Sequence, residues 1–438
     1  MLIDHVNSTL EGSVALAARR LHHELLTQGL DSRFWFAHAS GGSLPDESYS
    51  RLPWPVRRPR SLWDAPAMVG RRARWYGVRR TMRRQLGDAP PPAAGFSVPL
   101  GKHATPYRRD WFQGDLLHLH SLSQHVDFPT FFSSVPRDMP IVWTIDDMNP
   151  VTGGCHFADD CTAFHQQCRY CPLLADPGPE DLSSSVFQVK REAYPVERMH
   201  VVATSEWLER SVCASELLGG AASIRTIRRG VDTLTFRPID KRAARFALGL
   251  DPDCYWIAFG ADNVAAPAQG AGDFLVMLRN LPGSQRIHGL LFGQGQLPPP
   301  ESGVHLHHFG YQRSPEQLAL IYSAADLFVV SSHFANLPQT AVESMSCGTP
   351  VIAYDVGGLG ELITSGENGW LVGRHDPAEL ARRVRWMLDQ PRARQQFAQA
   401  ARRRIERDFD QRELAAAYAA LYEHLLVRPA LALPRLAA

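Results

Sequence analysis

Short apolar runs alternate with segments whose apolar residues return every three or four positions, and the alternation continues along the whole chain. The runs predict strands at residues 2–6, 33–37, 116–119, 141–144 and 201–204 in the first half. In the second half they predict strands at 256–259, 290–292, 327–330 and 351–354. After the break at Gly12, Val14, Ala18, Leu21 and Leu25 recur at helical spacing. Further helices are expected over 272–281, 315–325, 337–346 and 377–388, with a last one over 413–426. Strands and helices alternating in this way build parallel sheets covered on both faces, so the pattern predicts an α/β chain of two doubly wound domains in tandem. No short fixed period is visible, which disfavours a solenoid.

The 438-residue length agrees with two domains. The first is expected over 1–228, the second over 229–410 and a helical tail over 411–438, since Arg229-Gly230-Val231-Asp232 and Phe236-Arg237-Pro238 mark an extended connector. An irregular insertion at about 41–113, with a loop at Pro90 to Pro92, interrupts the first domain. With 45 % hydrophobic and 21 % charged residues the chain has enough apolar surface to build full cores. Its net charge of +1 hides an uneven distribution. Between Arg51 and Asp110 stand thirteen Arg and one Lys against three Asp. Within this stretch Trp75, Val78, Met82 and Leu86 form one apolar edge of a helix flanked by Arg71, Arg72, Arg79, Arg80, Arg83 and Arg84. Such a segment reads either as a helix lying on an anionic membrane or as an Arg-coated insertion docked on its own domain. It shows no recognition-helix or zinc-finger pattern, so no nucleic-acid partner is expected. Asp4, Glu11, Arg19 and Arg20 interrupt the first twenty residues, and no run approaches the length of a membrane span. The expected location is cytoplasmic, with peripheral attachment to the inner membrane face through 71–84.

Four of the seven cysteines fall in a loop over 153–174, spaced Cys155-x5-Cys161-x6-Cys168-x2-Cys171 with His156 and His165 between them. Clustering of this kind suits a reducing compartment better than a disulfide framework. The four thiols are a candidate structural zinc site, with free cysteines or a redox-labile pair as the alternatives. Cys213, Cys254 and Cys347 read as buried small apolar residues.

Two segments are more specific. Trp143 to Pro150, including Asp146 and Asp147, runs into Thr152-Gly153-Gly154-Cys155. Farther on, Asn336-Leu337-Pro338-Gln339-Thr340 leads through Glu343 to Cys347-Gly348-Thr349-Pro350. Together with His118-Leu119-His120, Gly230-Val231-Asp232-Thr233 and Asp355-Val356-Gly357-Gly358, these resemble the family 4 glycosyltransferases, in particular a bacterial polysaccharide branch. The resemblance implies a GT-B fold, two Rossmann-like domains facing across a cleft with the nucleotide-sugar held mainly by the second. It implies that Glu343 binds the ribose diol. It further implies that Gly357 and Gly358 let backbone approach the diphosphate, and that Gly12, Gln269, Asn336 and Leu337 border the donor.

Three positions depart from the family pattern. Ala335 stands where the family has an acidic residue against the donor sugar, Asp146 where it has a histidine, and Ala268-Gln269 where a cation offsets the leaving diphosphate. Asp146 is then the candidate catalytic base toward an acceptor hydroxyl. Arg228 and Arg229 are candidate phosphate contacts that would replace the missing cation. No cofactor is required for the chemistry. The expected activity is transfer of a sugar, with retention, from a nucleotide-sugar to a glycan or lipid-linked acceptor in polysaccharide biosynthesis. The alternative is a catalytically silent nucleotide-binding or scaffold protein.

Overall fold

The computed structural model describes residues 1–39, 44–52, 65–86, 95–122, 125–281, 286–300 and 303–427. The loop expected at Pro90 to Pro92 lies outside them. The chain divides into two compact units. One comprises Met1–Ala203, Glu209–Ile227 and the chain from Ala415 onward; the other comprises Thr204–Leu208 and Arg228–Leu414.

The first unit is built on seven parallel strands: β1 (Leu2–Thr9), β2 (Asp31–His38), β3 (Tyr49–Arg51), β4 (Leu116–Leu119), β5 (Ile141–Ile145), β6 (Met199–Ala203) and β7 (Ser223–Thr226). Their order in the sheet is β3-β2-β1-β4-β5-β6-β7. The second unit has six: β8 (Tyr255–Asn263), β9 (Ile287–Gln294), β10 (His305–His308), β11 (Leu327–Val330), β12 (Val351–Tyr354) and β13 (Gly369–Val372). These run β10-β9-β8-β11-β12-β13, again all parallel. Each sheet reverses its winding direction once, between β1 and β4 and between β8 and β11. In open parallel sheets the loops beyond the strand carboxyl ends at that reversal are where ligands bind.

Burial alternates strictly in the second sheet. Trp256, Ala258, Leu290, Phe292, Phe328, Val330, Val351 and Ala353 face one core, while Ile257, Phe259, Leu291, Leu327, Val329, Ile352 and Tyr354 face the other. Helices cover both faces, which is why the central strands read as continuous apolar runs. The nine predicted strands are the nine interior ones. The four strands that the pattern does not predict are the four edges, three or four residues long and mostly half-buried.

Three expectations change. The Arg-bearing helix forms, over Ala65–Leu86, but its Val78, Met82 and Leu86 pack against Phe96, Cys171, Leu174, Leu182 and Val186 of the same unit. That apolar edge is therefore occupied by protein. Cys213 is exposed rather than buried, whereas Cys254 and Cys347 are buried. The last helix, Gln411–Val427, joins the first unit from Ala415 onward, with the Tyr422 hydroxyl 2.7 Å from His118 Nδ1 and the Tyr418 hydroxyl 2.9 Å from Thr144 Oγ1.

At the amino end of β11, away from the loops where ligands bind, Asp326 pins the second unit together. Arg245 Nη2 donates to it at 2.7 Å, Lys241 Nζ at 3.0 Å and the backbone N–H of Trp256 at 2.9 Å. Burial pushes the Asp326 carboxyl up, but Lys241 and Arg245 outweigh it and hold the group below the usual carboxylate value. Its contribution is accordingly present at neutral pH and lost as acid protonates it. Asp326→Ala would leave the buried guanidinium of Arg245 with backbone carbonyls but no counter-charge, and is expected to cost about 3–5 kcal/mol in urea unfolding. A loss below about 1 kcal/mol would show that this cluster is not a pin.

Candidate functional site

Three loops converge beyond the carboxyl ends of β8, β11 and β12. Gly270 ends the turn after β8 with φ +74°, and a Cβ there would lie 1.7 Å from the carbonyl oxygen of Ser331. Gly357 follows β12 with φ +57°, and its Cβ would lie 1.7 Å from the carbonyl oxygen of Ala335. Both positions require glycine twice over, by backbone conformation and by space. Polar contacts close the arrangement: Gly358 N–H donates to the Asn336 carbonyl at 2.9 Å and Ser331 Oγ to the Gly270 carbonyl at 2.8 Å. Ser332 Oγ lies 3.2 Å from Gln269 Oε1.

Behind these loops, helix Gln339–Ser346 carries Glu343, which is 3 % exposed and accepts a hydrogen bond from the Tyr322 hydroxyl at 3.1 Å. A carboxylate oriented by a fixed phenol is a pre-set acceptor for vicinal hydroxyls. Leu337 is buried in the core beneath, so only its backbone borders the loops. Asn336 directs its side chain to the segment at Thr204 and Ser205, donating to Thr204 Oγ1 at 2.8 Å and accepting from Ser205 Oγ. That amide fastens the loop rather than reaching outward. Arg228 is engaged by Glu206 at 2.7 Å and Glu361 at 3.3 Å. Glu361 also accepts the backbone N–H groups of Glu206 and Trp207. Arg228 thus belongs to an ion-paired network, and Arg229 beside it is half-buried.

In the first unit, Gly12 follows β1 as the N-cap of helix Ser13–Thr27. Asp146 follows β5 and is half-buried. Its neighbour Asp147 is committed to structure, accepting from Asn149 N at 2.8 Å and pairing with His156 Nδ1 at 2.7 Å. Burial raises the Asp147 carboxyl, yet His156 and the Asn149 N–H hold it below the usual carboxylate range. The loop that follows is fixed by Lys190, fully buried on helix Leu182–Ala193, whose Nζ donates to the Thr152 carbonyl at 3.0 Å and to the carbonyl of Asn149. Burial pushes the Lys190 ammonium down to about 8.

The thiols of the cysteine loop lie near enough to influence one another's charge. Among the described residues, the groups of three or more metal-binding side chains with ligand atoms within 4.8 Å of one another are His5–His118–His120 and Asp273–His333–His375. Cys155, Cys161, Cys168 and Cys171 form no such group. Cys168 Sγ accepts the Gly153 N–H at 3.0 Å, and Cys171 packs in the apolar cluster under the Arg-bearing helix. Burial pushes the Cys155 and Cys168 thiols up to about 12.

Several organising residues escaped the sequence reading. Lys190 left a signal, falling four positions after Val186 and eight after Leu182 on an apolar stripe, where a charge must find buried partners. His5 left none, although it lies fully buried with its Nδ1 3.0 Å from His120 Nε2. Lys190→Met would strand the carbonyls of Asn149 and Thr152 and is expected to cost about 1–3 kcal/mol. Loss of near-UV dichroism from the loop's surroundings should accompany it; a urea midpoint equal to wild type would contradict the role.

The description "Glycosyl transferases group 1" matches residues 301–404. D-inositol 3-phosphate glycosyltransferase 2 of Catenulispora acidiphila is 33 % identical over 211 residues, 43 % of this chain and 48 % of that protein. Glycogen synthase of Mycobacterium tuberculosis is 40 % identical over 113 residues, 26 % of this chain and 27 % of the other. The chain spans about half or less of the length of these curated relatives. Among solved structures, a sucrose-phosphate synthase from Thermosynechococcus elongatus superposes with a TM-score of 0.67 at 17 % identity, covering 97 % of this chain and 98 % of that one. Anabaena HepE in complex with UDP-glucose gives 0.62 at 14 % identity, covering 97 % and 100 %. At such identities the structural likeness speaks to the fold alone. Residues 301–404 of the second unit thus match the group 1 glycosyl transferases, and both units have the parallel α/β fold seen in solved glycosyltransferase structures of GT-B architecture.

Proposed function

We propose that the chain transfers a sugar from a nucleotide diphosphate donor to a glycan or lipid-linked acceptor, with retention, in polysaccharide biosynthesis. The observation that carries this reading is the meeting of the Gly270, 331–337 and Gly357–Gly358 loops at the reversal of the second sheet, with Glu343 on the helix that follows the 331–337 loop. Bare backbone there admits a diphosphate closely, and Glu343 accepts the ribose hydroxyls. In the reaction the bond from the anomeric carbon to the diphosphate breaks and a bond to the acceptor oxygen forms, while Asp146 takes the acceptor's proton. Anabaena HepE was solved with UDP and with UDP-glucose, which makes these the first ligands to try.

The Arg-bearing helix gives the acceptor side its setting. Its apolar edge packs inward, whereas Arg74, Arg79, Arg80, Arg83 and Arg84 are exposed. Attachment to an anionic membrane through this face is electrostatic rather than insertive, at roughly 1 kcal/mol for each basic side chain at the surface. No described helix is long and apolar enough to cross a membrane.

Saturating UDP should raise the unfolding free energy by about 2.7 kcal/mol at one hundred times its dissociation constant. Glu343→Gln and Gly357→Ala should each weaken UDP at least tenfold. Asp146→Asn should leave UDP affinity intact and lower turnover about 10² or more. UDP binding without any turnover in the wild type, across donors and acceptors, would favour the silent scaffold; no nucleotide binding at all would contradict the proposal. Changing all five exposed arginines to Gln should abolish salt-sensitive co-sedimentation with anionic vesicles. Unchanged co-sedimentation, or none in the wild type, would remove the membrane from the account.

A further inference from the structure

Asp273, His333 and His375 come from three separate elements of the second unit and take no part in the contacts described so far. Asp273 sits in the first turn of helix Ala271–Asn280, His333 lies just after β11, and His375 lies just before helix Pro377–Asp389. His333 Nε2 is 3.0 Å from Asp273 Oδ2, and the His333 and His375 rings meet edge to face with centroids 4.3 Å apart. The three ligand atoms all lie within 4.8 Å of one another.

The surroundings favour a ligand set over a chance meeting. The Tyr354 hydroxyl donates to Asp273 Oδ2 at 2.7 Å, the kind of outer contact that orients a metal-binding carboxylate. His375 holds φ +62°, a left-handed conformation that costs a non-glycine residue about 1 kcal/mol, so glycine would be the easier occupant. The three side chains range from half-buried to exposed, which leaves coordination positions open to water. An ion held at 2.0–2.1 Å by imidazole and carboxylate places its ligand atoms about 3.3 Å apart. The Asp273–His333 pair already has nearly that spacing, and His375 closes the set by turning on an exposed corner.

We propose that Asp273, His333 and His375 bind a divalent first-row transition ion, zinc in the first place, with two imidazoles and one carboxylate as protein ligands. Such an ion would also tie together the structure around the Gly270 turn. The backbone N–H of His333 donates to the Ala268 carbonyl and Ser332 bonds Gln269, so fixing His333 to Asp273 clamps that turn from both sides. An influence on nucleotide binding rests on the reading given under Proposed function; the ion site does not.

The test is Zn²⁺ binding to the chelator-stripped, tag-free chain by equilibrium dialysis, with Co²⁺ absorption in the visible as a second readout of ligand geometry. One ion per chain is expected. His375→Gly and Asp273→Asn should each weaken Zn²⁺ about tenfold or more, in line with losses seen when metal-site residues are removed. His375→Gly should unfold no earlier than wild type without metal, because it relieves the left-handed backbone, so lost binding cannot be blamed on misfolding. Zn²⁺ should raise the melting temperature of wild type but not of His375→Gly. Absence of binding to wild type at tens of micromolar Zn²⁺ would overturn the proposal. So would binding unchanged in both variants, which would place the ion at the His5–His118–His120 cluster or the cysteine loop. Because none of these readouts uses nucleotide, the ion site can fail while the transferase reading stands, and the reverse.

Discussion

The carbonyl oxygen of Ala335 occupies the space where a side chain on residue 357 would begin, and that of Ser331 does the same to residue 270. Backbone therefore lies directly on backbone where β8, β11 and β12 end. The constraint follows from topology: the reversal between β8 and β11 brings loops from opposite winding directions to one spot, with the loop after β12 beside them. Side chains would hold those loops apart. Without them, the hydrogen bonds from Gly358 to Asn336 and from Ser331 to Gly270 become geometrically available, and the 331–337 loop runs on into the helix that buries Glu343. The rest of the second unit, from the alternating cores on its sheet to the Asp326 cluster at the opposite end of β11, serves to keep those strand ends in register.

Much of this was legible in the sequence because parallel strands buried on both faces must be apolar at nearly every position. The interior strands of both sheets stood out for that reason. The edges did not: Tyr49–Arg51 and His305–His308 pair on one side only and carry polar residues, so they leave no apolar run. Gly357 and Glu343 stood out only through the resemblance, since a glycine pair after a strand or a glutamate on a helix says little by itself. The direction of the Asn336 side chain was not legible, because its partners Thr204 and Ser205 are more than a hundred positions away. The zinc-like spacing of Cys168 and Cys171 says as little about direction. Spacing reports how far apart two thiols are along the chain, whereas burial against Gly153 and the Phe96 cluster decided where each one points.

The departures from the family pattern now have surroundings. Gln269 is held by Ser332, Ala335 contributes its carbonyl to the glycine contact, and Arg228 is shared between Glu206 and Glu361. At 269 and 335 neutral groups stand where the resemblance implies charge facing the donor, and Arg228, the candidate replacement, is ion-paired. In the proposed transfer, negative charge developing on a leaving diphosphate would rest on backbone N–H groups and neutral donors, whose effect depends on being fixed in place before the reaction. Close glycine packing supplies that fixity. In the first unit the same economy of motion comes from Lys190 and the Asp147–His156 pair, which hold the loop beside Asp146.

Hydrogen–deuterium exchange with and without UDP tests the central claim most directly, because it reports where the chain becomes protected without presupposing turnover. Protection should concentrate in peptides covering 266–274, 331–346 and 355–362, the three loops and the Glu343 helix. Protection confined to the loop at Gly12, or spread evenly over both units, would contradict the claim that the glycine-packed loops of the second unit form the nucleotide site.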